Sequence, residues 1–103
     1  MTRILDFNGR DADRTVTVAS IAALKGSGRQ YVQVTAGTEE EATAAEAAGI
    51  DMVVCLAQAV PAVRQGSSRL FVTAAIDFGG EITLDDLLAT AFRSLSAGAD
   101  AVI

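Results

Sequence analysis

Short runs of β-branched or apolar residues alternate along this chain with stretches whose apolar positions fall at helical spacing. Tyr31-Val32-Gln33-Val34-Thr35-Ala36 follows a Gly/Ser turn and predicts a strand. Thr38 then predicts a helix cap with Glu41 reaching back to it, and Glu39, Glu40 and Glu41 suit the positive end of the helix dipole. That helix is predicted through Ala48, with Gly49 as a left-handed stop. Asp51-Met52-Val53-Val54-Cys55-Leu56 is nearly continuously apolar, as a parallel strand covered on both faces would be. A short helix is expected around Pro61 to Gln65, then a strand over Leu70 to Ile76 and a loop at Gly79-Gly80. Thr83 predicts the cap of the clearest helix, with Leu84, Leu87, Leu88, Ala91 and Leu95 on one apolar face and Gly98 as its end. Asp100-Ala101-Val102-Ile103 opens a fourth strand. Ahead of this series, residues 1–16 read as a polar leader or cap with Ile4 to Phe7 as a short strand. A helix follows from Thr17, with Val18, Ile21, Ala22 and Leu24 at its spacing.

One segment recurs. Ala48-Gly49-Ile50-Asp51-Met52-Val53-Val54 returns as Ala97-Gly98-Ala99-Asp100-Ala101-Val102-Ile103. In both, a helix ends on Gly, one apolar residue follows, and an Asp leads a buried strand. Repeating strand–helix order implies α/β architecture, as an open doubly wound sheet or a (β/α)8 barrel. No Gly-x-Gly-x-x-Gly or Walker loop follows a strand, which argues against a nucleotide site.

Composition narrows the function. The 13 acidic and 8 basic residues give a net charge of -5 with no basic run, so nucleic acid and anionic membranes are not expected partners. No apolar stretch approaches the roughly 20 residues that span a bilayer. The single cysteine, Cys55, excludes an intrachain disulfide and suits a reducing cytoplasm. With no His, proton transfer would fall to carboxylates, Lys, Tyr or Cys.

Leu24-Lys25-Gly26-Ser27-Gly28-Arg29, Val34-Thr35-Ala36 and Ala47-Ala48-Gly49-Ile50-Asp51-Met52-Val53-Val54 resemble the front of the ketopantoate hydroxymethyltransferase family. Ala62-Val63-Arg64-Gln65-Gly66 is similar to that family's Ala-Val-Arg-Arg-Gly, and Phe71-Val72-Thr73-Ala74 to its third strand. The resemblance spans roughly residues 18–103. It implies a partial (β/α)8 TIM-type barrel over residues 17–103, about its first half, from the phosphoenolpyruvate/isocitrate lyase superfamily. It also implies hydroxymethyl transfer from methylenetetrahydrofolate to 3-methyl-2-oxobutanoate in pantothenate synthesis, with Mg²⁺ stabilising an enolate. Four strands cannot close an eight-stranded barrel, so an exposed sheet edge is expected to make the chain pair with another, as a homo-oligomer. The family's Gly-Asp-Ser after the second strand is Leu56-Ala57-Gln58 here, and its Asp-x-Pro-Phe is Ala75-Ile76-Asp77-Phe78. The two metal-binding Asp positions are therefore Ala57 and Ala75, which points to a divergent or inactive paralogue.

Barrel sites lie at the carboxyl ends of the strands. Asp77 is the candidate there for a hard cation, and Thr35 and Gln58 are candidates for holding a small 2-oxo acid. Against these stand an Asp77 that merely caps its loop, and a Thr38 whose work is helix capping. Cys55 reads as strand packing, and Asp51 and Asp100, which lead strands, read as stability residues of the opposite face. Two rivals remain: a non-catalytic α/β binding or scaffold domain, and another 2-oxo-acid lyase of the same superfamily.

Overall fold

The computed structural model describes residues 2–77, 79 and 83–103; Phe78 and Gly80 of the sequence reading lie outside the described residues. The chain opens with an antiparallel hairpin, β1 (Thr2–Leu5) and β2 (Asp11–Arg14), and a short helix α1 (Val18–Ala23). Then come β3 (Gln33–Thr35), α2 (Glu39–Ala47), β4 (Met52–Leu56), a 3-10 turn (Ala57–Ala59), α3 (Val60–Gly66), β5 (Phe71–Ala75), α4 (Leu84–Ala97) and β6 (Ala101–Val102). Strands β3 to β6 form one parallel sheet in sequential order, each paired with the next.

Residues 1–16, read from sequence as a polar leader or cap, carry that hairpin. It closes the amino end of the parallel sheet. Thr15 donates its N–H to the Arg69 carbonyl at 2.8 Å and its hydroxyl to the Asp51 carbonyl at 2.7 Å. Ile4, Val16 and Val18 share a small cavity of about 130 Å³ with Phe71 of β5.

The core lies between the sheet and one layer of helices. Val53, Cys55, Val72 and Ala74 alternate into it against Ala42 and Ala45 of α2 and Val60 and Val63 of α3. Small alanines let α2 approach closely. At the α2–α3 contact, Gly66 sits so tightly that a Cβ there would overlap the Glu39 carbonyl oxygen and lie 2.9 Å from the Ala42 Cβ. The Gly66 carbonyl accepts from the Thr43 hydroxyl at 2.9 Å.

Capping follows the sequence with one change. Thr17, Thr38 and Thr83 cap their helices through their hydroxyls. Glu41, expected to reach back to Thr38, instead accepts from the Gly37 N–H at 3.1 Å. At the other ends, Gly49 (φ 80°) and Gly98 (φ 119°) adopt the left-handed conformation. In both copies the residue after Gly donates back five positions, Ile50 to Ala45 and Ala99 to Ser94, closing a Schellman turn.

Helix α4 departs from the pattern. Its buried positions are Thr90 and Ser94, while Leu84, Leu88 and Phe92 are 70%, 49% and 58% exposed. Leu87, Ala91 and Leu95 are half-buried. The expected apolar face is thus turned only partly inward. The small inner pair stays satisfied because the Ser94 hydroxyl donates to the Thr90 carbonyl at 2.8 Å. Phe92 rests against Phe7 of the hairpin loop, ring centroids 6.2 Å apart, and the Asn8 amide donates to the Ser96 carbonyl at 2.9 Å.

Candidate functional site

The parallel strands end together on one edge, and all three residues singled out from sequence stand at or within two residues of a strand's carboxyl end. Thr35 is the last residue of β3 and is exposed. Asp77 lies two residues beyond β5, also exposed, and its Oδ1 accepts from the Gly79 N–H at 2.8 Å. That bond is an Asx-type turn, the loop-capping role for which aspartate is commonly used.

Gln58, two residues beyond β4, also borders a groove. The 3-10 turn after β4 sets it along this groove, which lies between the turn with α3 and the face of α4, a space of about 620 Å³. Ala57, Pro61 and Ala97 supply apolar wall, and Arg93 borders the same space, but neither Thr35 nor Asp77 does. The structure therefore does not gather Thr35, Gln58 and Asp77 into one pocket.

Ala57 and Ala75 stand half-buried at the ends of β4 and β5 and offer no side-chain oxygen. A Mg²⁺ ion needs several oxygen ligands in near-octahedral array, some of them carboxylate. Among the described residues no group of three or more His, Cys, Asp or Glu side chains converges. One loop-bound carboxylate, Asp77, with alanines at positions 57 and 75, does not fit the Mg²⁺ site that the resemblance implies.

The strongest charge cluster lies at the opposite, amino end of the sheet. Arg14 Nε donates to both oxygens of Asp100 at 2.9 and 3.0 Å, and Arg64 Nη2 donates to Oδ2 at 2.8 Å. All three side chains are nearly dry, at 5%, 12% and 11% exposure for Arg14, Arg64 and Asp100. Carbonyls occupy further donors: Arg14 Nη1 reaches Ser68, Arg64 Nε reaches Gly98, and Arg64 Nη1 reaches Leu70. Burial pulls the Arg64 pKa below its ordinary value, and the Asp100 carboxylate pulls it back up. Asp100 as a stability residue was legible from its place before a strand. Arg14 and Arg64 were not, since they lie 86 and 36 positions away in sequence.

Asp51 repeats this device in milder form. Its carboxylate accepts from the Val32 N–H at 3.0 Å and its own N–H donates to the Val32 carbonyl at 3.2 Å. Asp100 makes the same reciprocal pair with Val72, at 3.0 and 2.8 Å. The ion pair of Asp51 is to Arg29 at 3.2 Å, whose side chain is 47% exposed.

Cys55 is 3% exposed within β4. Burial pushes its thiol pKa up, with the Arg64 charge opposing, so the thiolate needed for nucleophilic use is disfavoured. No helix among the described residues is long and apolar enough to cross a membrane. The chain matches no family model and no curated protein.

Proposed function

We propose that this chain is a divergent ketopantoate hydroxymethyltransferase-like protein, its four parallel strands belonging to the first half of a (β/α)8 barrel, that binds a small 2-oxo acid at the carboxyl edge of its sheet. One observation carries the reading. Four parallel strands follow one another in sequential order, with the core-forming helices α2 and α3 against one face and the hairpin at the amino end. Doubly wound sheets reverse strand order partway, whereas barrels do not. The carboxyl edge is then the ligand side, where the Thr35 hydroxyl and the Asp77 carboxylate stand exposed. Family chemistry uses Mg²⁺ and methylenetetrahydrofolate; with Ala57 and Ala75 at the metal positions, the reading is binding of the acid rather than transfer.

The decisive experiment exposes the protein to 3-methyl-2-oxobutanoate with and without Mg²⁺ and follows both melting temperature and deuterium exchange at the carbon beside the ketone. Binding without catalysis raises the melting temperature and leaves exchange at the background rate. Exchange above background in Mg²⁺ restores the enzyme reading. No thermal shift under either condition removes both.

A non-catalytic scaffold is the second reading. The closed turn between Asp77 and Gly79 favours it, because that carboxylate already has a structural partner.

A further inference from the structure

A groove lies between the 3-10 turn with the start of α3 and the second half of α4, from Thr90 to Ala97. On α4, the polar and small residues Thr90, Ser94 and Ala97 border the space that leucines would otherwise fill. The result is an opening of about 620 Å³, within the range of small-molecule sites.

Its chemistry is one-sided. In a protein of net charge -5, Arg93 is the only charged residue on this wall among the described residues. No carboxylate of the described residues forms an ion pair with it. Its Nη2 donates to Thr90 Oγ1 at 3.0 Å, which folds the guanidinium back along α4. Gln58 adds an amide from the facing wall, and Ala57, Pro61 and Ala97 add apolar surface. A guanidinium and an amide match a planar carboxylate, and one positive charge balances one negative.

We propose that this groove binds a small amphipathic monocarboxylate, its head on Arg93 and Gln58 and its tail on Ala57, Pro61 and Ala97. The site lies apart from Thr35 and Asp77 and does not depend on the function proposed for that edge.

The test is a titration of the 15N-labelled protein with sodium hexanoate, with hexanol as the uncharged probe. Hexanoate is expected to give saturable shifts at the Gln58 side-chain amide, Ala57 and Ala97, with a dissociation constant on the order of 1 mM. Hexanol should bind about tenfold more weakly, and Arg93→Gln should lose about tenfold for hexanoate, which is one decade on the affinity scale. Ala97→Phe, which keeps the charge and fills the groove, should block binding, while Asp77→Asn should leave it unchanged. The proposal is overturned if hexanoate produces no saturable shift, if the shifts centre on Thr35 and Asp77, or if folded Arg93→Gln binds as tightly as the parent.

Discussion

Replacing Asp100 with Ala removes the carboxylate shared by Arg14 and Arg64 and strips an acceptor from the Val72 N–H. Both guanidiniums are almost out of water, so neither can recover the loss by hydration. Removing one partner of a buried ion pair costs about 3–5 kcal/mol, because the remaining charge is left buried and unbalanced. A domain of this size has about 5–15 kcal/mol in all, so Asp100→Ala should approach the limit of folding. Asp51→Ala deletes the same device in the copy whose arginine, Arg29, is 47% exposed, where an ion pair is worth about 0.2–1 kcal/mol. Urea denaturation followed by circular dichroism would compare the two through their midpoints at constant slope. Asp100→Asn, which keeps an acceptor for Val72 but supplies no charge, should fall nearer to the Ala variant than to the parent. Equal losses for Asp51→Ala and Asp100→Ala, within about 0.5 kcal/mol, would refute the argument from burial.

Gly66→Ala should destabilise by about 1–3 kcal/mol, measured by thermal melting, because the added methyl meets backbone of α2 and not a side chain that could swing away. Leu88→Gln, on the exposed flank of α4, should stay within about 0.5 kcal/mol of the parent in the same assay, although its spacing marks it as core. The Cys55 thiol has its pKa raised by folding, so the stability it contributes is complete below the unfolded thiol pKa of about 8.5 and is lost as pH rises through the folded value. Urea midpoints at neutral and alkaline pH should show that decline in the parent and less of it in Cys55→Ala. Thr38→Ala should cost about 1 kcal/mol through loss of the α2 cap, again read from urea midpoints.

Periodicity and glycine stops made the parallel strands and their helices legible, since each rests on local chemistry: a threonine cap, a left-handed Gly, an apolar run. A short strand over Ile4 to Phe7 overlaps β1, but its partner β2 was hidden because it carries charge at Asp11, Asp13 and Arg14 and gains its partner surface from the distant Phe71 and Asp100. Helix α4 misled for a related reason. Its leucines give a clear moment, yet the inward side is set by how closely Thr90 and Ser94 let the helix approach. For the site, sequence position placed Thr35 and Asp77 at the carboxyl edge correctly. It could not foresee that a 3-10 turn would set Gln58 in a groove beside Arg93, 35 residues later in the chain.

The two strand-leading aspartates solve a problem of alignment. A parallel strand shifted by two residues keeps every side chain on its original face, and an apolar strand such as β4 has little reason to prefer one alignment. Asp51 and Asp100 remove that ambiguity, because a shifted neighbour would present a different residue in place of Val32 or Val72 and the reciprocal pair would not form. Each aspartate inspects only the strand immediately before it. Proofreading of this kind travels with the unit that carries it, so a sheet built this way could grow by duplication without a new device to keep its strands in step.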